Sequence, residues 1–270
     1  MIKKPSISLV PFIEHQNFHG SKIIDYFGDE NVNLLNSEVD LERYSPLFIC
    51  FTNRSGSNAI AEDISSIDGF KFYGEMLNFD AVINNSKLHK ISSFYYYLDW
   101  LFSKNKNKRP IIKCSYDQLI FLYNQGYLKN YFINSQFILL ERRDLISQAV
   151  SHFIASKSKQ WASFQESKIE SLPPLDHQMV LKIIQGCTLQ NSEFKAFFSI
   201  CGVSFLHLFY EDYFEKRLFF LNHISKFIGS TVCIEEVPIN RFEKQGTAEN
   251  NVLRDDFLKI YSSLIFQEKN

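Results

Sequence analysis

Arg54 stands between an apolar run, Leu47 to Phe51, and a stretch of helical character that opens near Ser57. The connecting residues are Asn53-Arg54-Ser55-Gly56-Ser57-Asn58: one guanidinium, two hydroxyls and one glycine. Those types at a strand–loop–helix junction suit anion binding. A helix start leaves backbone N–H groups unpaired and carries a partial positive charge. The guanidinium adds a fork that matches phosphate or sulfate. The loop is not the ordinary nucleotide-binding P-loop, which ends Gly-Lys-Ser/Thr. Here Ser57-Asn58 follow Gly56, and the basic residue precedes the glycine.

A second junction has the same form. The run Phe137 to Leu140 is followed by Glu141-Arg142-Arg143-Asp144, and apolar residues then recur at 145, 146, 149, 150, 153 and 154, a helical period. Arg143 falls at the helix entry, and Ser151 lies eight residues on, about two turns along. Two further chemical groups follow short apolar runs: Glu75, in Tyr73-Gly74-Glu75, and Lys113, in Ile111-Ile112-Lys113-Cys114. Gly74 would let a ligand approach the backbone closely. Taken singly, each feature also fits a plainer role: a capped turn with an exposed arginine, an amphipathic helix, a solvated glutamate, a surface lysine. His152 and His207 have no partner at motif spacing and stay outside the chemistry; His207 reads as a strand residue satisfied by a neighbour.

The elements that position these groups alternate. Strands are expected near 47–52, 70–73, 110–114, 137–140 and 203–208, the last running into Tyr210-Glu211-Asp212-Tyr213. Helices are expected near 57–67, 91–104, 117–123, 144–160, 176–200, 218–228 and 252–266, with Gly229 closing the sixth. Residues 166–174 read as a loop able to act as a lid, and 238–251 as a polar tail. Strands alternating with helices imply an α/β fold with a parallel sheet covered on both faces. Ligands of such sheets gather at the carboxyl ends of the strands. Arg54, Glu75, Lys113 and Arg143 all fall at or just beyond such ends. Residues 1–45 read as an N-terminal extension packed on the domain formed by 46–270.

The chain has 270 residues, 45% of them hydrophobic, enough for one domain with a real core. A net charge of −1 gives no sign of bulk nucleic-acid or anionic-membrane binding. No run approaches the ~20 apolar residues of a membrane span. The start, Met1 to Phe12, is broken by Pro and Ser and makes a poor signal peptide. Five cysteines at no zinc or disulfide spacing read as buried, reduced thiols, and the expected location is cytoplasmic.

Two stretches resemble sulfotransferases that use 3′-phosphoadenosine 5′-phosphosulfate (PAPS). Asn53 to Ile64 is similar to their phosphosulfate loop, whose usual form is Arg-Ser-Gly-Ser-Thr; Asn58 stands where the threonine is usual. Arg142 to Trp161 resembles the bacterial trehalose 2-sulfotransferase-like family, which includes nodulation-factor and lipopolysaccharide sulfotransferases. That family has Arg-Arg-Asp, then Gln-Ala-Val-Ser, then a tryptophan about ten residues later. The resemblance covers roughly residues 46–255. It implies a P-loop-like three-layer fold, PAPS as donor with PAP as product, no metal, and a carbohydrate or glycolipid hydroxyl as acceptor. It implies that Arg54 and the amides of Ser55, Gly56, Ser57 and Asn58 hold the phosphosulfate, and that Arg143 and Ser151 hold the 3′-phosphate. It makes Glu75 the general base, sets Lys113 at the transferring group or the acceptor, and assigns 3′-phosphate contacts to Arg241, Lys244 and Gln245. For Tyr210 and Glu211 it implies a turn with a structural role, and for Trp161 a place near the nucleotide or acceptor or in the core. It leaves a homodimer open. Two rivals remain: a P-loop kinase-like phosphotransferase, and a non-catalytic PAP- or PAPS-binding protein.

Overall fold

The computed structural model describes residues 17–33, 44–104, 107–130, 134–161, 171, 173–231, 233–242 and 248–265; for 129, 130, 248, 249, 264 and 265 it describes the backbone alone. In chain order the elements are α1 (Phe18–Phe27), β1 (Leu47–Phe51), α2 (Ser57–Ser65), β2 (Phe70–Phe72), α3 (Phe79–His89), α4 (Phe94–Ser103), β3 (Arg109–Cys114), α5 (Tyr116–Asn124), α6 (Tyr127–Asn130), β4 (Gln136–Glu141), α7 (Leu145–Ser158), α8 (His177–Cys201), β5 (Phe205–Phe209), α9 (Tyr210–Glu215), α10 (Arg217–Phe227) and α11 (Ala248–Ile265).

The five strands form one parallel sheet in the order β2-β3-β1-β4-β5. β1 is central, and all five of its residues are buried, as a strand covered on both faces requires. Its alternation sorts the core into two layers. Phe48 and Cys50 point to a layer shared with Ile112, Cys114, Phe137 and Leu139, covered by α1, α4, α5 and α8. Leu47 and Ile49 point to the other, with Ile111, Ile138, Leu140 and Leu208, covered by α2 and α10. Register partners Phe48 and Phe137 stack at 5.1 Å between ring centroids. A smaller cluster around Phe153, Val180 and Phe257 joins α7, α8 and α11.

Side chains set the helix ends. Ser115 and Gln118 close a capping box on α5, Asp176 accepts the Met179 N–H at the start of α8, and Gly202 ends that helix in the left-handed region (φ 64°).

The α/β class, the parallel sheet and the three layers agree with expectation. Several elements differ from it. α1 and α3 form where no helix was expected. α3 contains Asn84, Asn85 and Ser86, which blur its apolar period, but Asn78 caps it and Val82 faces the core. β5 is displaced to 205–209, and Tyr210-Glu211-Asp212-Tyr213 is the first turn of a helix rather than a strand end. α11 begins at Ala248, within the stretch expected to be a polar tail. Cys50, Cys114 and Cys187 are buried, but Cys201 and Cys233 are exposed, so the thiols are not uniformly internal; all five are free. His207 Nε2 lies 2.7 Å from Glu141 Oε1, the satisfied strand histidine that was expected. The lid reading of 166–174 falls almost wholly outside the described residues.

Candidate active site at the carboxyl ends of the strands

β1 ends at Phe51, and the chain turns through Thr52–Gly56 into α2. Both Arg54 (φ 67°) and Gly56 (φ 81°) are left-handed. Glycine tolerates that conformation freely, whereas arginine meets a steric cost there. Gly56 is required for a second reason: a Cβ at this position would lie 2.5 Å from the Tyr210 ring. Gly56 is also the N-cap of α2 and supplies no side-chain bond to the helix amides. Ser55 is fully buried, and its Oγ has no hydrogen-bond partner among the described residues. An uncapped helix start, an orphaned hydroxyl and a glycine-lined turn together make a cradle for an anion.

The Arg54 guanidinium reaches from this turn to α7. Its Nε donates to Ser151 Oγ (3.0 Å) and its Nη1 to the Trp161 carbonyl (2.7 Å), so α7 and the segment after it hold the arginine. Burial, then the neighbouring Arg142 charge, lower its pKa from the usual guanidinium value. Gln148 clamps α7 to the same turn, donating to Thr52 Oγ1 (2.9 Å) and the Asn53 carbonyl (2.8 Å).

β3 delivers Lys113, whose side chain is only 2% exposed. Its ammonium donates to Glu75 Oε1 (2.5 Å) and to Asn58 Oδ1 (2.6 Å), and it lies 4.2 Å from the centroid of the Phe51 ring. Burial pulls its pKa down, and Glu75 opposes that by charge and hydrogen bond. Glu75 is nearly half exposed and sits just beyond β2. Its turn is held by the Asn78 N–H donating to the Glu75 carbonyl (3.1 Å) and by Tyr97 Oη donating to the Met76 carbonyl (2.7 Å). One buried ammonium therefore links the ends of β2 and β3 to the first turn of α2.

The second junction is organised differently. Asp144 caps α7, accepting from the Ser147 N–H at 2.9 Å. Glu211 of α9 accepts the backbone N–H of Arg143 (3.1 Å) and of Asp144 (3.3 Å). The exposed Arg143 guanidinium is engaged by both carboxylate oxygens of Asp212 and lies 4.1 Å from the centroid of the Phe209 ring. Ser151 is paired with Arg54 rather than with Arg143. Arg142 turns inward. Its Nη1 donates to the Arg54 carbonyl (3.4 Å), its Nε lies 3.6 Å from Glu211 Oε1, and it stacks over Tyr210 at 4.5 Å.

Of the residues singled out in the sequence, the structure brings together Arg54, Ser55, Gly56, Ser57, Asn58, Lys113, Glu75 and Ser151. Arg143 is joined to them through Arg142 and Glu211. Arg241, in the segment after α10, is exposed and pairs at 3.2 Å with Glu62 of α2. Lys244 and Gln245 lie outside the described residues. Trp161 is partly exposed and meets His152 edge to face at 5.5 Å. Burial and the Arg54 charge push His152 down to about 4, which leaves it neutral near pH 7.

Sequence reasoning gave no site role to Arg142, Gln148, Asp212 and Asp63; Glu211, expected in a turn with a structural role, holds the amides of Arg143 and Asp144. Asp63 carried a signal: it shares the apolar stripe of α2 with Ala59, Ile60 and Ile64, a position where a carboxylate must find buried partners. Among the described residues no three side chains of metal-ligating type lie together.

A family model described as Stf0 sulphotransferase matches residues 115–253, just over half of the chain. No curated protein matches the chain significantly. Among solved structures, a sulfotransferase domain from the curacin biosynthetic pathway is similar at 13% identity and a TM-score of 0.51, covering 77% of this chain and 82% of its own. A sulfotransferase from Alicyclobacillus acidocaldarius is 13% identical with a TM-score of 0.48, covering 84% of this chain and 97% of its own. A mouse sulfotransferase complexed with PAP is 15% identical with a TM-score of 0.42, covering 86% of this chain and 71% of its own.

Proposed function

From the premise that this chain belongs to the Stf0 sulphotransferase family, we propose that it transfers a sulfuryl group from PAPS to a hydroxyl of a carbohydrate or glycolipid in the cytoplasm. The observation that carries the reading is the buried Lys113 ammonium bridging Glu75 and Asn58, beside the uncapped start of α2. It sets a carboxylate, a cation and an anion cradle within one constellation, which is what sulfuryl transfer to a hydroxyl needs. PAPS, when bound, supplies a sulfuryl group on a phosphate leaving group.

The chain's own residues account for the rest. Arg54 and the amides of Ser55, Gly56, Ser57 and Asn58 hold the phosphosulfate oxygens. Ser55 Oγ, orphaned and buried, gains a partner there. Glu75, exposed enough to meet an acceptor, takes the hydroxyl proton as the new oxygen–sulfur bond forms. The bond from sulfur to the phosphate oxygen breaks in line with it. Lys113 has three N–H donors, of which Glu75 and Asn58 take two. The third would be available to the donor's bridging oxygen, where it would offset the charge that collects as PAP leaves. At the ribose 3′ position, Ser151, Arg143 and the 241–245 stretch (Arg241, Lys244, Gln245) bind the 3′-phosphate, with Arg143 exchanging Asp212 for it. The carbohydrate acceptor rests on the likeness of Arg142–Trp161 to the trehalose 2-sulfotransferase-like family.

Calorimetric titration with PAP, AMP and ADP tests the donor. PAP is expected to bind at least tenfold tighter than either; equal or absent binding of the three would overturn the assignment. Transfer of label from [35S]PAPS to a panel of saccharides and glycolipids tests the acceptor. Glu75→Gln is expected to leave PAP binding unchanged and to lower the transfer rate by roughly 10²–10⁴-fold. A rate within a factor of three of wild type would remove Glu75 as the base.

A further inference from the structure

The residues that follow β5, Tyr210 to Arg217, reach both junctions and the helix beneath the first. Tyr210 closes on Gly56 and stacks under Arg142. Glu211 takes the amides of Arg143 and Asp144, and Asp212 takes the Arg143 side chain. Tyr213 Oη donates to Asp63 Oδ2 at 2.6 Å. Arg217 forms a two-pronged pair with the same carboxylate, its Nε 2.6 Å from Oδ2. Asn240 adds a fourth donor, with Nδ2 at 2.6 Å from Asp63 Oδ1 and 2.7 Å from the Ala59 carbonyl. The Asp63 side chain is fully buried.

We propose that segment 210–217 is a positioning element for the donor. It sets the separation of the two basic turns, with Asp63 and Glu211 as its attachment points. The inference rests on the reading that the Thr52–Gly56 and Arg142–Asp144 turns hold the 5′- and 3′-phosphate groups of one nucleotide. A buried ion pair contributes little net stability compared with apolar packing of the same volume, and its directional bonds can instead specify one geometry. Here those bonds fix α2, whose N-terminus faces the phosphosulfate. The Glu211 carboxylate fixes the entry to α7 in the same way. The gap between two sites for a rigid ligand matters steeply, since a misplacement of ~1 Å can cost ~10²-fold. No residue of the segment needs to touch the reacting atoms for this role.

PAP carries phosphates on both the 3′ and the 5′ positions of its ribose and engages the two turns; AMP carries the 5′-phosphate alone and engages only the first. The test is titration of PAP and AMP into Glu211→Ala, Tyr213→Phe and Asp63→Asn, with melting temperatures alongside. In Glu211→Ala and Tyr213→Phe, PAP is expected to weaken roughly 5–20-fold while AMP changes less than about twofold. Glu211→Gln, which keeps one acceptor oxygen, is expected to recover part of the loss. PAP and AMP weakening in equal measure, or neither changing while melting falls, would overturn the inference and leave the segment a purely structural brace. Tyr213→Phe keeps its ring and carries the test if Asp63→Asn does not fold. Failure of the wild type to prefer PAP over AMP would instead sink the nucleotide reading, and the inference with it.

Discussion

The chain contains two strand–turn–helix junctions that read almost alike but treat their helix starts in opposite ways. At β1–α2 the N-cap is a glycine without a side-chain bond, and the nearest hydroxyl, that of Ser55, has no hydrogen-bond partner among the described residues. At β4–α7 the protein's own carboxylates are already in place: Asp144 on the Ser147 amide, Glu211 on the amides of Arg143 and Asp144, Asp212 on the Arg143 side chain. The first helix start is therefore left for an outside anion, and the second is neutralised internally. A ligand phosphate at the second junction has to be met by side chains and has to compete with Asp212.

That contrast sets the order of the expected effects. Arg54→Ala removes the cation of the open junction and is expected to lower kcat/KM by roughly 10²–10³-fold, read from steady-state sulfation. A loss below tenfold would mean that the α2 amides alone suffice. Arg143→Ala is expected to weaken PAP about tenfold and AMP not at all, by calorimetry; equal losses for both would place Arg143 outside the 3′-phosphate site. His152 lies next to Ser151 on α7, beside the Arg54 charge, and so probes the contact between the junctions. Burial and Arg54 hold it at about 4 in the folded chain, against about 6.5 unfolded. Between those values the unfolded chain binds more protons, so stability falls as pH drops through that window. The loss is expected to be about 2 kcal/mol between pH 7 and pH 5, and His152→Gln should flatten the profile in denaturant titrations. The smallest effect is the most discriminating. Asp212→Ala frees Arg143 and is expected to tighten PAP about two- to fivefold, whereas a weakening would show that Asp212 orients the arginine rather than competing for it.

The sheet was legible because buried parallel strands are continuous apolar runs, as Leu47–Phe51 and Phe137–Leu140 are. The site was legible where a residue type and a strand end coincide: Arg54, Glu75 and Lys113 needed only the rule that ligands gather at carboxyl ends. What stayed hidden depends on distant pairing. Nothing local in Tyr210–Arg217 says that Glu211 serves the amides of Arg143 and Asp144, that Asp212 serves the Arg143 side chain, or that Tyr213 and Arg217 serve Asp63. α1 and α3 were missed for a related reason: their polar residues weaken the period, and tertiary contacts complete them. Asn17 caps α1 and also donates to the Asp117 carbonyl at 2.6 Å. The Ser151–Arg54 pairing crosses between the junctions, which spacing along one helix does not reveal.

The central position of β1 has a consequence for how the chain is made. Among the described residues β1 is the first strand in chain order, yet its two neighbours come from residues 109–114 and 136–141. Until both are synthesised, at least one of its backbone edges lacks its native partner, and such non-local parallel pairing is slow. The anion turn and its helix are thus translated early but gain their frame late. Nascent chains halted before residue 136 are expected to be protease-sensitive and prone to chaperone capture, and chains extended past β4 far less so.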